Sequence, residues 1–338
     1  MPHLGLASLS AVLKQAGHVV TVFDEVLFEP EAVPALEAVL AETRPDVVGV
    51  SVYTSTLDRA QEMMQAARRR GDSVVLAGGP HAALWPDELA RTGLADVVVT
   101  GEAEEAIVSL VRESQRRDGA GSLAADPQVI RCAPVDVRAL PWPDYSTALN
   151  EESIWWYPVL TSRGCPHSCS FCAVRQIASR RWRSRDPQDC AAEVRAARRA
   201  RPGLSGLNVS DDCPTADPGR FKTFLRELAA DSPPLPLLVD NMRADAVDDE
   251  LLRLLKAAGA RSVCLGVEHA HPEVFATVNK SETLEDIRRA AARVKTHGLE
   301  LGLCFVIGLP GDSYQRTQAS IRFARELGAK LLYWNRVH

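Results

Sequence analysis

The sequence predicts a mixed α/β protein in two parts, a doubly wound parallel sheet followed by a partial (β/α)6 barrel. Three observations carry that prediction. Strand-type apolar runs alternate with helical patterns from residue 4 to 113, and again from 157 to 338. A polar, Gly- and Pro-punctuated stretch separates the two series, so the boundaries fall at 1–114, 115–150 (a linker) and 151–338. The second series holds six βα repeats, two fewer than a closed barrel needs.

In the first part, Leu4–Ala16 reads as a helix with Leu6, Leu9, Val12 and Leu13 on one face, ended by Gly17. His18–Asp24 (H-V-V-T-V-F-D) reads as a buried strand and Pro34–Thr43 as a helix. Asp46–Tyr53 is the next strand, Leu57–Arg70 a helix stopped by Gly71, and Ser73–Ala77 a strand. Pro86–Thr92 is a short helix, Asp96–Thr100 a strand and Glu104–Glu113 a helix. Three strand-to-helix loops then face one edge: Thr54-Ser55-Thr56-Leu57, Gly78-Gly79-Pro80-His81 and Gly101-Glu102. Their small residues let a large ligand approach the backbone. The stretch 114–147 holds one short strand near Val129–Cys132 and the Pro-Trp-Pro-Asp piece Pro141–Asp144.

In the second part the strands are Tyr157–Leu160, Gly206–Ser210, Leu235–Asp240, Ser262–Val267, Leu301–Ile307 and Lys330–Trp334. The helices between them are Pro187–Arg199, Phe221–Ala230, Asp249–Ala258, Leu284–His297 and Gln315–Leu327. The first strand runs into T-S-R-G-C-P-H-S-C-S-F-C, Thr161–Cys172, with Cys165, Cys169 and Cys172 spaced C-x3-C-x2-C. Three thiolates on a loop leaving a strand end can bind three irons of a [4Fe–4S] cube and leave the fourth open. The other readings are a zinc loop, with His167 as fourth ligand, and scattered structural thiols. The basic piece Arg175–Arg185, with Arg180, Arg181 and Arg183 around Trp182, reads as a solvated surface; the sharper reading is contact with an anion.

Bulk properties exclude several classes. The 338 residues suit two domains, and 46% hydrophobic with 25% charged content suits a soluble globular chain. A net charge of -5 gives no sign of general nucleic-acid binding. No run reaches the ~18 apolar residues of a membrane span. The apolar N-terminus lacks a basic leader and is interrupted by Lys14, so it reads as an amphipathic helix, not a signal peptide. Of eight cysteines, five (Cys132, Cys190, Cys213, Cys264 and Cys304) are scattered, as expected in a reducing cytoplasm.

The cysteine spacing, with Phe171 before the last Cys, resembles the radical S-adenosylmethionine (SAM) superfamily. The first part, with Ser55-x-Leu57 followed by Gly78-Gly79, resembles the cobalamin (B12)-binding domains fused to such enzymes. The resemblance implies a cluster on Cys165, Cys169 and Cys172. It implies SAM contacts from Phe171, Asp211, Asp212, Arg243, Glu268, Gly308 and Pro310, the last two in a G-x-P-G turn. It places cobalamin against Ser55, Leu57, Gly78, Gly79, Gly101 and Glu102. The implied activity is methyl transfer to an unactivated carbon through a 5′-deoxyadenosyl radical; a cyclisation or rearrangement without methyl transfer, and a non-catalytic binding protein, are the alternatives. The implied partners are a small-molecule or peptide substrate and an electron donor such as a flavodoxin or ferredoxin. Two departures stand out. The D-x-H-x2-G cobalt-ligand signature is absent, and only His3 lies near its place. The strand that should precede Leu4, central in a 2-1-3-4-5 sheet, is also missing, which predicts an unpaired gap through the sheet.

Overall fold

A computed structural model describes residues 2–27, 32–115, 127–178 and 180–337. It divides into two compact units, Met1–Ile154 with Gln176–Ala178, and Trp155–Arg175 with Ser179–His338.

The first unit contains α1 (Leu4–Gln15), α2 (Ala32–Thr43), β1 (Val47–Ser51), α3 (Leu57–Arg70), β2 (Val74–Gly78), α4 (Pro80–Leu84), α5 (Pro86–Arg91), β3 (Val97–Thr100), α6 (Ile107–Gln115) and β4 (Gln128–Arg131). The strands form one parallel sheet in the order β1-β2-β3-β4. Val75, Ala77 and Val98 pack on one face with Met64 of α3 and Leu40 of α2; Val74, Leu76, Val97 and Val99 pack on the other with Ile107 and Leu110 of α6. Covering both faces is what a parallel sheet requires. Gly71 ends α3 in the left-handed region, φ 79°.

One expected strand does not form. Residues 18–24 form no strand: Val22 makes an isolated parallel bridge to Ala148, Asp24 accepts from His3 N at 2.7 Å, Phe23 packs on the sheet core, and Val19 is fully exposed. In the 2-1-3-4-5 order this segment would pair only with the strand that is missing, so its apolar character finds no ladder to join. The predicted gap is therefore not inside the sheet. It lies beyond β1, which has no buried residue and exposes Gly49, while β2 is buried up to Gly78 and β3 throughout. The supposed linker also contributes structure: β4 extends the sheet, and residues 144–149 dock along α1. There Asp144 N–H donates to Ala7 O (3.0 Å), Ser10 and Thr147 hydroxyls bond at 2.8 Å, and Lys14 pairs with Asp144 at 2.5 Å. The Gly- and Ala-rich residues 116–126 of that stretch lie outside the described residues.

The second unit contains β5 (Trp156–Val159), β6 (Ser162–Arg163), α7 (Val174–Ile177, shared in part with the first unit), β7 (Arg183–Ser184), α8 (Pro187–Ala200), β8 (Gly206–Val209), α9 (Pro218–Ala229), β9 (Leu237–Val239), α10 (Asp249–Ala257), β10 (Ser262–Glu268), α11 (Pro272–Thr277), α12 (Leu284–Thr296), β11 (Glu300–Ile307), α13 (Tyr314–Leu327) and β12 (Leu331–Arg336). Two parallel sheets, β5-β8-β9 and β10-β11-β12, are joined by bridges from Leu237 to Ala260 and from Met242 to Leu265. Six parallel strands thus follow in chain order, as the repeat count predicts. Caps fix where the helices begin: Asp186, Asp217 and Asp248 accept from amides of α8, α9 and α10, and Thr283 with Asp286 forms a capping box on α12. Among the described residues, α11, only six residues long, and two 3-10 turns at Pro214–Ala216 and Ala244–Ala246 are further helical pieces of this unit that the sequence pattern did not predict.

Candidate functional site

The cysteine loop leaves the carboxyl end of β5, and the two-residue antiparallel ribbon β6–β7 closes its base. Asp211, at the end of β8, anchors that base. It is fully buried, and its carboxylate accepts from Thr161 N (2.6 Å), Thr161 Oγ1 (2.5 Å) and Ser162 Oγ (2.5 Å). Burial pushes this carboxyl up, opposed by those donors and by the Arg220 guanidinium. Asp212 accepts from Gly164 N at 2.8 Å. At the far end, Ser170 N donates to Val278 O (2.9 Å) and Ser170 Oγ to Thr277 O (2.7 Å). Phe171 packs with Val274, Val278, Val306 and Leu309, so it ties the loop to α11 and to the turn after β11.

Cys165, Cys169 and Cys172 are all half-buried and free. Burial pushes the Cys169 and Cys172 thiols up. Cys165 is instead held down at about 6, chiefly because the Cys213 thiol donates to its sulfur. Cys213 itself is buried, and that bond pushes its own thiol up. The charges within reach of the three thiols come from Asp212, Arg243, Glu268 and Lys280. Among the described residues, no three His, Cys, Asp or Glu side chains converge as they would on a single ion. Three thiolates on one loop can each take a different iron of a cube, whereas a structural zinc site takes four ligands on one centre.

The other SAM candidates surround this loop. Arg243 is buried; it donates to Asp245 Oδ1 (3.1 Å) and Oδ2 (2.7 Å) and to Lys280 O (3.0 Å), and it approaches Glu282 at 3.7 Å. Glu268 ends β10 at a register shift, with φ 65°. Its carboxylate pairs with Lys280 Nζ at 2.9 Å, and Lys280 also pairs with Glu282 at 3.1 Å and donates to Gly266 O at 2.6 Å. A Cβ on Gly266 would meet Glu268 Oε1 at 2.5 Å and Lys280 Nζ at 2.6 Å, so glycine makes room for this pair. Gly308 and Pro310 form an exposed turn with Gly308 at φ 87°. Asp312 closes the turn: its Oδ2 accepts from Gly308 N (3.0 Å), and its Oδ1 from Ser313 N (2.7 Å), Thr317 Oγ1 (3.1 Å) and His269 Nε2 (3.1 Å). His269 Nδ1 accepts from His271 N, which leaves the proton on Nε2 for Asp312. This buried pair joins the residue after Glu268 to the residue after Gly311.

Lys280, Glu282, His269 and Asp312 escaped the sequence reading. Lys280 and Glu282 lie in a loop with no spacing signal, and their role exists only through Glu268 and Arg243. Asp312 stood one residue past the recognised turn, where an acid four residues after Gly308 was a usable clue. In the basic stretch Arg175, Arg180 and Arg181 are exposed, as a solvated surface expects, and only its end differs. Arg185 is buried and pairs with Glu193 (2.5 Å) and Asp189 (2.7 Å), so its charge is internal.

In the first unit, the loops after β1, β2 and β3 all lie at the carboxyl edge of the sheet, where such folds bind ligands. Ser55, Gly79 and Gly101 are exposed there, and Leu57, Gly78 and Glu102 half-buried. Thr54 Oγ1 bonds His81 Nδ1 at 3.1 Å, linking the first two loops, and His81 Nε2 is buried without a partner. Glu102 accepts from Val135 N at 2.8 Å. Gly79 has φ 91°, and a Cβ there would lie 2.8 Å from Ser51 Oγ and 3.0 Å from Val52 N. At Gly101 it would strike Cys132 O at 2.3 Å. These two glycines thus serve the close approach of the chain to itself, while Gly78, unhindered, presents backbone at the edge. The open, small-residued edge fits a large planar cofactor and its tail. His3 does not fit a cobalt ligand: its Nδ1 accepts from Leu6 N at 3.1 Å, capping α1 and placing the proton on Nε2.

The family model of the radical SAM superfamily matches residues 159–324, and that of the B12 binding domain residues 1–111. An uncharacterized methyltransferase of Pyrococcus horikoshii is 26% identical over 96% of this chain and 73% of its own length. The anaerobic magnesium-protoporphyrin IX monomethyl ester cyclase of Rubrivivax gelatinosus is 25% identical over 98% of this chain. This chain spans 63% of that cyclase's length. Among solved structures, the radical SAM methyltransferase TsrM of Kitasatospora setae, with cobalamin and a [4Fe–4S] cluster bound, matches with TM-score 0.81 and 20% identity over 99% of this chain and 69% of its own. The cobalamin-dependent radical enzyme OxsB matches with TM-score 0.73 and 18% identity over 95% of this chain and 49% of its own. These likenesses bear on the fold.

Proposed function

Since this chain belongs to the radical SAM superfamily and carries a B12-binding domain ahead of its barrel, we propose that it transfers a methyl group to an unactivated carbon of a small molecule. The observation that carries the reading is the loop of three half-buried thiols at the end of β5, pinned by Asp211 and Asp212 and ringed by Arg243, Glu268 and Lys280. When bound, a [4Fe–4S] cluster, SAM and cobalamin supply one-electron cleavage of SAM and a methyl carrier. The chain's residues bind, orient and exclude water. Cys165, Cys169 and Cys172 would hold three irons of the cluster and leave the fourth for SAM. The Asp212 and Glu268 carboxylates suit an ammonium or ribose hydroxyls, and the Arg243 guanidinium suits a carboxylate. The Gly308–Pro310 backbone offers a flat, exposed turn to an adenine. Asp211 has both oxygens engaged, so it acts by holding the loop; Phe171 acts by packing it against the turn. Cys213, beside Cys165, would offer a thiol donor to that ligand's sulfur when the cluster is bound. The carboxyl edge of the first unit, through Ser55, Leu57, Gly78, Gly79, Gly101 and Glu102, takes cobalamin.

The electron comes from a flavodoxin- or ferredoxin-type donor in a reducing cytoplasm; among the described residues no helix is long and apolar enough to cross a membrane. A second reading, oxidative cyclisation, is favoured by the cyclase relatives of Rubrivivax gelatinosus and Cereibacter sphaeroides. Anaerobic incubation of the reconstituted protein with SAM, cobalamin and dithionite separates the readings. Methyl transfer predicts both 5′-deoxyadenosine and S-adenosylhomocysteine, with the labelled methyl of SAM recovered on cobalamin. 5′-Deoxyadenosine alone supports the cyclase reading, and neither product rejects both.

A further inference from the structure

Cys264 and Cys304 lie outside the cluster loop and no role above uses them. They sit on the neighbouring parallel strands β10 and β11 with their sulfurs 3.2 Å apart. We propose that they form a redox-active dithiol, which a small disulfide oxidant converts to a disulfide across the two strands.

The strand register arranges the pair. Cys264 stands opposite Gly302, and Cys304 opposite Gly266. A Cβ on Gly302 would lie 3.1 Å from the Cys264 sulfur, so the glycine leaves that sulfur room to lean along the strand toward Cys304. The register offsets the two cysteines by two residues, about 8 Å between Cα atoms, so closing from 3.2 Å to a bond of about 2.05 Å draws the two strand backbones together by about 1 Å as well as moving the sulfurs. Both side chains are partly exposed, unlike Cys190 and Cys213, so a small reagent reaches them. The chemistry also has a direction. Either thiol can donate in this contact; with Cys264 donating, Cys304 is held below the ordinary thiol range, against burial and Glu268 and with the Lys280 ammonium. Cys304 is therefore the attacking thiolate.

The exchange balances with oxidised glutathione as oxidant. The Cys304 thiolate attacks one glutathione sulfur, breaks the S–S bond and releases one glutathione thiolate. The Cys264 thiolate then attacks the Cys304 sulfur of the mixed disulfide and releases the second glutathione. Two protein thiols lose two electrons, one glutathione disulfide gains them, and the two thiol protons pass to the released glutathiones. The product ties β10 to β11 within electrostatic reach of Glu268, so the barrel carries an oxidation-sensitive site separate from its cluster ligands.

The test uses the full chain, reconstituted and equilibrated anaerobically in glutathione redox buffers, then trapped with a maleimide and digested with trypsin. Cys264 and Cys304 fall in separate peptides, residues 262–280 and 296–316, each with one cysteine. The expected result is that both peptides lose their label together, with one midpoint, and reappear as a single cross-linked species. Cys264→Ser should stop at one glutathionyl group on the peptide bearing Cys304. The proposal is overturned if the two cysteines stay labelled in every buffer, if they lose label at separate midpoints, or if either cross-links to another cysteine. The wild-type mapping decides this even where the variant fails to fold.

Discussion

Replacing Asp312 with Asn separates the turn after β11 from the rest of the site. The side chain is 4% exposed, and its oxygens divide the work. Oδ1 takes Ser313 N, Thr317 Oγ1 and His269 Nε2, while Oδ2 takes Gly308 N at 3.0 Å and, more weakly, Thr317 Oγ1 at 3.4 Å. An amide keeps the crowded oxygen side and turns its NH2 toward the Gly308 N–H, so one charge-assisted bond becomes two facing donors. Hydrogen bonds to charged groups contribute about 1.5–3 kcal/mol. Gly308 is exposed and water re-solvates its N–H, so the loss falls near the lower end, about 1.5–2 kcal/mol. If that turn must be closed to receive the adenine, the SAM dissociation constant rises about 10- to 30-fold. The assay is equilibrium binding of SAM to the cluster-loaded protein, with amide exchange followed at residues 308–312 and iron content as the control. Faster exchange with unchanged SAM affinity removes the turn from the SAM site. Unchanged exchange removes Asp312 as its lock.

Each of Cys165→Ala, Cys169→Ala and Cys172→Ala should drop bound iron from about four per chain toward zero without unfolding the barrel, read by iron assay and circular dichroism. Lys280→Met leaves Glu268 and Glu282 buried with only Arg243 nearby, so unfolding by urea should show a loss of about 3–5 kcal/mol, the range for breaking a buried pair. Gly79→Ala forces a Cβ to 2.8 Å from Ser51 Oγ at φ 91°, and thermal denaturation should report at least about 1 kcal/mol of destabilisation with reduced retention of cobalamin. Burial holds His269 below 6.5, and hydrogen bonds from Gly308, Ser313 and Thr317, working against burial, hold Asp312 below 3.8. In both cases the unfolded chain binds more protons, so stability is full above the unfolded values, falls as pH drops through 6.5, and falls again below 3.8. His269→Asn should flatten the upper step in urea midpoints taken between roughly pH 7.5 and 5.5.

Alternation of apolar runs and helical patterns made nearly every element legible, because each strand and helix had its expected neighbour. Residues 18–24 show the limit: their V-V-T-V-F run has strand character, yet a strand exists only with a ladder to join, and among the described residues this run makes only the Val22–Ala148 bridge. The cluster cysteines were legible because their spacing is local. The groups around them were less so. Asp211 and Glu268 stood out as acids at strand ends, but what engages them, Thr161 and Ser162 for one and Lys280 for the other, is set by packing. The Cys264–Cys304 pair is the same case; forty residues separate two cysteines that only strand register brings together.

The proposed chemistry needs an iron left open at the Cys165–Cys172 loop, and electron paramagnetic resonance of the dithionite-reduced protein, recorded with and without SAM, tests for it most directly. The prediction is about four irons per chain and a reduced-cluster signal whose g values shift on adding SAM, with the shift weakened in Asp312→Asn. A protein that binds zinc instead, or a cluster signal indifferent to SAM, would contradict it.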